Sequence, residues 1–306
     1  MRKIIKKVMS PALVEAYRHF GRKKIMHETE RLKCLTYEEK QAYLNSLHKV
    51  SVGFDIDWEN PLSYTEKAQL EKLNGVDSLK TMLTDKYLVR EWVKNQLGTE
   101  EYLIPLLGVW DRFSDIDFDS LPTRFVLKTN HGSGTNLIIH DKNKLNKLAA
   151  KMMFNDWMQM DYGYVSGLEL HYSGIQRKII CEKYIENKGG DLYDYKFICF
   201  HGKPYYVWVD TDRFTNHTRY TYDMNWHLQD WQFGYPINKE GIEKPENFDQ
   251  MVDIVKILCK GFEHVRVDLY NVNGKIYFGE MTFTSGSGLE PIDKDANIML
   301  GSLWGG

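Results

Sequence analysis

The sequence predicts an α+β protein of two or three lobes, on three observations. Residues 1–50 are rich in Lys, Arg, Glu and Leu and lack β-branched runs, a helix-forming composition. From Pro105 onward, short runs of β-branched and aromatic residues alternate with turn residues. Tight hairpin signals link most of those runs, so the strands belong to sheets packed beside helices.

Taken in order, two devices start helices after residue 50. In Ser63-Tyr-Thr65-Glu66-Lys67-Ala68 a hydroxyl precedes good helix formers. In Thr84-Asp85-Lys86-Tyr87-Leu88-Val89-Arg90 a cap residue precedes an apolar stripe at Leu88, Trp92 and Val93, with the helix ending near Gly98. Ile104–Trp110 and Phe125–Lys128 read as strands, and Leu137–Ile139 follows a glycine-bearing turn. A helix is expected around 143–160, then strands at Lys178–Glu182, Tyr195–Phe200 and Pro204–Val209, the last two joined by the hairpin signal His201-Gly202-Lys203. A helix near 247–260 leads into the strand Val265–Tyr270, and Asn273-Gly274 turns the chain into Lys275–Glu280. No repeat or low-complexity tract is visible.

Composition narrows the function. The 306 residues carry a net charge of -2, which argues against a general nucleic-acid binder. An aromatic share of 13% suits either a sugar-facing surface or an aromatic core. Cys34, Cys181, Cys199 and Cys259 form no C-x-x-C pair and read as small hydrophobes in a reducing cytosol. The ten histidines form no H-x-x-x-H pair, so a zinc hydrolase is not expected. No run approaches the roughly 20 apolar residues of a membrane span. Met1–Ser10 is too charged for a secretory signal; it is a basic amphipathic stretch that fits a solvated helix or a contact with an anionic membrane face.

Four constellations carry candidate chemistry. In Phe125-Val-Leu-Lys-Thr-Asn-His-Gly-Ser-Gly-Thr135 a strand delivers Lys128 into a loop with His131, Gly132, Ser133 and Gly134. Such glycines let backbone N–H groups converge on an anion, and the lysine adds compact positive charge. The lysine precedes the glycines, so this is no Walker loop, and an ordinary Gly-Ser hairpin turn would share the pattern. Second, Arg266 and Asp268 lie two apart on one strand and share a face, and Glu280 ends the partner strand. Two carboxylates on paired strands suit Mg2+, and the arginine suits phosphoryl or carboxylate oxygens; a cross-hairpin ion-pair ladder is the plain alternative. Third, Ile179–Ile185 ends a strand before Asn187–Gly190 and is placed to offer backbone groups to an adenine edge. Fourth, Asp210-Thr-Asp212-Arg213 through Arg219 clusters polar residues, with Arg213 and Arg219 candidates for phosphate and Arg219 for a catalytic role.

In this order the segments resemble the ATP-grasp superfamily, and more closely its branch related to the teichuronopeptide-biosynthesis protein TupA of bacterial surface-polysaccharide clusters. The likeness rests on Thr84-Asp-Lys86-Tyr-Leu-Val-Arg90, Leu121-Pro122, the Phe125–Gly134 segment, Asp194-Tyr-Lys196-Phe, Arg266-Val-Asp268 and Phe278-Gly-Glu280-Met-Thr282-Phe. It implies an ATP-grasp fold in which two α+β lobes hold the nucleotide, preceded by a helical and α/β part. The segments implied are 1–60 (helical), 61–122 (α/β), 123–190 (small lobe with the glycine loop) and 191–306 (C-terminal lobe with the metal). Lys128 and Arg90 match phosphate-contacting positions, and His131–Gly134 match the mobile glycine-rich cover. Glu182, Lys183, Tyr184 and Ile185 match the adenine hinge. Asp194 is similar to the acidic residue on the ribose, with Lys196 also among the nucleotide-binding positions. Asp268, Glu280 and Thr282 match the metal positions, where many relatives carry E-x-N instead of Glu280-Met281-Thr282. Arg266 matches the arginine that stabilises the developing oxyanion.

The implied activity is ATP- and Mg2+-dependent joining of a carboxylate to an amine through an acylphosphate. The substrates implied are an amino acid or uronic acid of a capsular or cell-wall polymer, handled in the cytoplasm without nucleic acid, near the inner membrane face or polysaccharide-assembly enzymes. Asp268→Asn and Glu280→Gln are expected to abolish turnover and leave the fold intact. A glycosyltransferase using a D-x-D pair is the alternative, with Asp55-Ile-Asp57, Asp115-Ile-Asp117 and Asp210-Thr-Asp212 fitting its spacing. A degenerate nucleotide-binding module is the non-enzymatic one.

Overall fold

The computed structural model describes residues 11–186, 192–211, 217–236 and 240–305. The basic stretch Met1–Ser10, the Asn187–Gly190 stretch, and Asp212 and Arg213 lie outside the described residues. The chain forms two compact units, each discontinuous in sequence: Met1–Lys40, Asp85–Tyr87 and Pro105–Tyr184 make the first, and Gln41–Thr84, Leu88–Ile104 and Ile185–Gly306 the second.

The first unit holds helix α1 (Pro11–Lys33) and the start of α2 (Tyr37–Ser51). Its antiparallel sheet has the order β1-β4-β2-β3, built from Leu106–Trp110, Ile179–Lys183, Phe125–Thr129 and Asn136–Ile139. Side chains alternate across the β2 pleat, so Phe125 and Leu127 go inward while Val126 and Lys128 go outward. The inward residues pack with Phe113, Phe154, Ile179 and Cys181 under helix α6 (Lys147–Trp157). Polar contacts tie helix α1 to α6: His19 Nδ1 and Arg22 Nε reach the buried Asp156 carboxylate at 2.7 Å each. A further short helix is α7 (Tyr162–Val165).

The second unit is built on a five-stranded antiparallel sheet, order β7-β6-β5-β8-β9. The strands are β5 Asp194–Phe200, β6 Lys203–Thr211, β7 Thr218–Asp223, β8 His264–Val272 and β9 Lys275–Thr282. One face carries Tyr195, Phe197, Val207, Val209, Val265, Val267 and Leu269. It is covered by helices α8 (Phe248–Leu258) and α5 (Val89–Leu97) through Phe248, Met251, Val255, Val89 and Val93. Large side chains such as Phe197 and Phe248 are fully buried, each stabilising the unit by about 2–3 kcal/mol. Part of the opposite face is capped by α3 (Tyr64–Asn74) and α9 (Lys294–Leu303), where Tyr64, Ala68 and Leu300 meet Ile198, Phe200 and Trp208. The rest of that face is charged.

Helix α3 starts as expected, with a capping box: Ser63 Oγ accepts from Glu66 N–H, and the Glu66 carboxylate accepts from Ser63 N–H at 2.9 Å. The second expected helix start is displaced. Thr84 is the last residue of a separate helix, α4 (Ser78–Thr84), and α5 begins at Val89 with no side-chain cap. Asp85 instead accepts from Tyr87 N–H at 2.8 Å, bridging the two helices with a turn. Gly98 ends α5 in the left-handed conformation, φ +69°. Four elements lie where no pattern was read: strand β7, expected as a polar loop, and helices α4, α7 and α9. The four cysteines are free, with Cys181, Cys199 and Cys259 buried.

Candidate active site

The charged face of the second unit follows from strand alternation. Residues two apart on β5 and β8 share the face opposite Phe197 and Val267, which brings Asp194 and Lys196 beside Arg266 and Asp268. Lys196 stands directly opposite Asp268, and Asp194 opposite Asp210 on β6.

Glu280 reaches the same face by a different device. A regular hairpin from the Asn273-Gly274 turn pairs Tyr270 with Tyr277 and Leu269 with Phe278, and would then pair Val267 with Glu280 on the apolar side. A bulge between Asp268 and Leu269 shifts the register by one, so Glu280 stands opposite Asp268. The extra residue is Gly279, where a Cβ would lie 3.0 Å from the Asp268 carbonyl oxygen.

These side chains interlock. Arg266 donates from Nε and Nη2 to the two Asp268 oxygens at 2.6 and 2.8 Å, and from Nη2 to Glu280 Oε1 at 3.0 Å. Lys196 Nζ bridges Asp194 and Asp268 at 2.5 and 2.8 Å. Burial opposes the Lys196 charge, but Asp194 and Asp268 outweigh it and raise the ammonium above its ordinary value. Burial likewise opposes Arg266, and Asp268 and Glu280 push its guanidinium well above the usual range. Alongside, Arg219 grips Asp210 with two bonds, 2.6 and 3.0 Å, and reaches Glu290 at 3.1 Å. Burial pushes the Asp210 carboxyl upward, yet the Arg219 bonds and charge prevail and hold it at about 2.

Among the described residues, the cations Lys196, Arg219 and Arg266 are bridged to five carboxylates (Asp194, Asp210, Asp268, Glu280 and Glu290), and His217 lies 3.4 Å from Asp210. The donors are oxygens only, and Thr282 Oγ1 lies 3.4 Å from Glu280 Oε1. This set fits Mg2+, which binds one or two carboxylates and completes its shell with phosphates and water. Among the described residues no group of three or more His, Cys, Asp and Glu side chains forms a ready cage for a metal, and Mg2+ does not call for one.

In the first unit Lys128 Nζ lies 2.6 Å from Glu182 Oε2 across the β2–β4 pair. The loop after β2 has a fixed base and an open tip. Asn130, fully buried, accepts from Lys178 N–H at 2.7 Å and donates to the Gln176 carbonyl at 2.9 Å. Lys86 Nζ donates to the Gly132 carbonyl at 2.8 Å. Thr129 and Thr135 close the neck with a 2.7 Å hydroxyl bond. His131 is buried with Nε2 3.1 Å from the Trp157 carbonyl, and burial lowers its imidazole to about 4. A Cβ on Gly132 would meet the Tyr162 ring at 2.8 Å. Only Ser133 and Gly134 of the expected cover are exposed. His131 and Gly132 anchor it.

The remaining expected residues are dispersed. Lys183 is exposed, and Tyr184 lies under the Arg124 guanidinium at 5.1 Å. Ile185 opens the last segment of the second unit, and Arg90, on α5 of that unit, donates to the Ile104 carbonyl at 2.7 Å. Glu290, which binds Arg219, and Ser285, whose Oγ accepts from Arg266 Nη1 at 3.2 Å, were not anticipated, because residues after β9 that meet their partners through tertiary packing leave no local pattern. Two of the D-x-D pairs are engaged in local structure: Asp55 binds Asn45 and Lys49, Asp57 accepts from the Glu59 and Asn60 N–H groups, Asp115 binds Arg112, and Asp117 accepts from the Asp119 N–H.

A sequence profile described as TupA-like ATP-grasp matches residues 66–304. The chain belongs to the TupA-like ATP-grasp family. No curated protein matches the sequence. Among solved structures it is similar to the D-alanine–D-alanine ligase from Bacillus anthracis complexed with ATP, at 17% identity and TM-score 0.38, covering 66% of this chain and 56% of that one. A second crystal structure of that enzyme from the same organism gives 16%, 0.44, 81% and 83% for the same measures. The Helicobacter pylori D-alanine–D-alanine ligase gives 14%, 0.41, 72% and 61%. The chain thus spans little more than half of the first of these. Within the TupA-like ATP-grasp match fall both the glycine-bearing loop and the charged row on β5, β8 and β9.

Proposed function

We propose that this ATP-grasp protein is an ATP-dependent carboxylate–amine ligase. The observation that carries the reading is the charged row of Lys196, Asp268 and Glu280 with Arg266, in which two carboxylates from paired strands meet on one face beside two cations. Asp268, Glu280 and the Thr282 hydroxyl would hold Mg2+, which supplies charge neutralisation on the phosphate oxygens when bound. Threonine offers one oxygen where many ATP-grasp relatives have asparagine, so this corner leans on the two carboxylates.

The reaction proceeds in two displacements. A substrate carboxylate oxygen attacks the γ-phosphorus of ATP, the bond to the bridging oxygen breaks, and ADP leaves. The amine nitrogen then attacks the acyl carbon, the carbon–oxygen bond to phosphate breaks, and the nitrogen loses its proton. Arg266 and Lys196 stabilise the charge spread over the transferring phosphoryl oxygens, and Arg266 the oxyanion of the second step. Lys128 and the exposed Ser133-Gly134 tip contact phosphates, Glu182–Ile185 address the adenine, Asp194 the ribose, and Arg90 a phosphate. Arg219 acts through Asp210 and Glu290, since its guanidinium already bonds these two acids.

The substrate class, an amino acid or uronic acid of a capsular or cell-surface polymer, is supported by the TupA-like assignment. The same reading sets the protein in the cytoplasm, with the basic Met1–Ser10 stretch toward the inner membrane face or polysaccharide-assembly enzymes. Among the described residues no helix is long and apolar enough to cross a membrane. The glycosyltransferase alternative is weakened by the family assignment and by the local use of the Asp55–Asp57 and Asp115–Asp117 pairs. The test is ADP release from Mg-ATP in the presence of candidate amino acids and uronates. Acceptor-stimulated ADP with an amide product is expected; ADP that never depends on an acceptor contradicts the reading.

A further inference from the structure

Charge is segregated along the chain. Residues 1–33 carry ten Lys and Arg against three Glu, a surplus of seven. The other 273 residues carry 30 Lys and Arg against 39 Asp and Glu, a deficit of nine, which together give the net charge of -2. Such asymmetry marks a segment that meets an anionic partner. Four of the ten, Arg2, Lys3, Lys6 and Lys7, belong to Met1–Ser10, and the other six to α1.

The helix divides its residues between two faces. Glu15, Thr29 and Leu32 are buried, and His19 and Arg22 turn to Asp156 of α6. Phe20, Lys24, His27 and Arg31 recur at helical spacing on the opposite side; all four are exposed, as is Lys23 beside them. The acids keep to the flanks of this stripe and are answered there, Glu28 by Arg31 at 2.6 Å and Glu30 by Lys33 at 2.8 Å. Among the described residues Lys23 and Lys24 form no ion pair, and Lys23 reaches only Gln159, at 3.4 Å. Phe20 is 74% exposed. A lone exposed phenylalanine is ordinary, but one set among cations on the outer face of a helix has the composition of a helix at a lipid interface.

We propose that this face of α1 docks on an anionic lipid bilayer, with Lys23, Lys24 and Arg31 meeting headgroup phosphates and Phe20 entering the acyl boundary. The proposal rests on the membrane placement given above, which named only Met1–Ser10, and it commits to lipid over an assembly enzyme. A nucleic acid duplex would engage the same cations through its phosphates and leave Phe20 unused.

The test is co-sedimentation of the full chain with vesicles of phosphatidylcholine, alone or with about a third phosphatidylserine. Binding should require the anionic lipid and fall steeply between about 0.1 and 0.5 M salt. Each cation at such a surface is worth about fivefold in affinity, so Lys23→Gln combined with Lys24→Gln should weaken binding about 25-fold. Phe20→Ala should weaken it about fivefold and leave the salt dependence unchanged, since no charge is lost. These variants should keep the wild-type urea midpoint, because the replaced side chains face solvent. The comparison is a chain with Arg2, Lys3, Lys6 and Lys7 changed to Gln. Binding that depends on those four and ignores the α1 variants overturns this proposal while the membrane placement stands. No binding by the wild-type chain, equal binding to phosphatidylcholine alone, or preference for a duplex oligonucleotide overturns both. ADP release is assayed without vesicles, so a chain that binds them through α1 and never forms ADP fails the ligase reading alone.

Discussion

Asp268 and Glu280 face each other across two strands, yet their surroundings differ enough to separate their variants. The Asp268 side chain is 3% exposed and neutralises both Arg266 and Lys196, whereas that of Glu280 is 35% exposed and meets Arg266 through one oxygen. Replacing Asp268 with Asn leaves Lys196 paired with Asp194 alone and Arg266 with Glu280 alone, and breaking buried pairs in this way costs about 3–5 kcal/mol. The two variants are therefore expected to differ in stability. Urea denaturation should find Glu280→Gln within about 1 kcal/mol of wild type and Asp268→Asn far below it. Both should lose ADP formation, and equal stabilities would contradict the account of Asp268. At this scale the sequence was legible where the chemistry is local. The two-residue spacing of Arg266 and Asp268 gives their shared face, and Asp194 with Lys196 follows the same rule. Glu290 and Ser285 were illegible because their partners are brought in by tertiary packing, and Asp210 because its pairing depends on an unrecognised strand.

The bulge at Gly279 decides whether β9 has a functional face at all. Without the extra residue Glu280 would point toward the Val267 side, among the apolar residues of β8. Gly279→Ala places a methyl 3.0 Å from a backbone oxygen that has little room to yield, and is expected to cost about 1–2 kcal/mol. It should weaken Mg2+-dependent nucleotide binding, read by calorimetry; unaltered binding would show that Glu280 does not depend on the bulge. The glycine loop divides similarly. Gly132→Ala runs into the Tyr162 ring, while Gly134→Ala meets open space and costs only its left-handed backbone, about 1 kcal/mol. Thermal melts should place Gly132→Ala below Gly134→Ala, and the reverse order would contradict the anchored-base description. Elements with strong periodicity were readable from sequence, as at β2, β5, β8 and α8. Strand β7 was not, because Arg219-Tyr-Thr-Tyr-Asp alternates polar and aromatic residues that only pairing with β6 buries. Helix α9 escaped because its apolar face is short. Its contact with α3 depends on Gly301, where a Cβ would meet the Leu62 carbonyl at 2.0 Å.

Across the whole chain, buried histidines make stability sensitive to mild acid. Burial lowers His131 to about 4 and His264 to about 3, against roughly 6.5 in an unfolded chain. Both stay neutral in the folded protein while the unfolded state takes up protons, so stability falls as pH drops from about 6.5 through 4. Asp210, held at about 2, adds a further loss between roughly pH 4 and 2, once the unfolded carboxylate protonates first. Urea midpoints should decline steadily from pH 7 to 4, and a flat profile would mean these groups are solvated.

The central claim is that Asp268 and Glu280 hold the divalent ion of a nucleotide complex. A crystal grown with Mn2+ and a nonhydrolysable ATP analogue tests it most directly, because manganese scatters anomalously. An anomalous peak within bonding distance of carboxylate oxygens from both Asp268 and Glu280, lost in Glu280→Gln, is the expected result. A peak bound elsewhere on the protein, or one indifferent to that substitution, would contradict it.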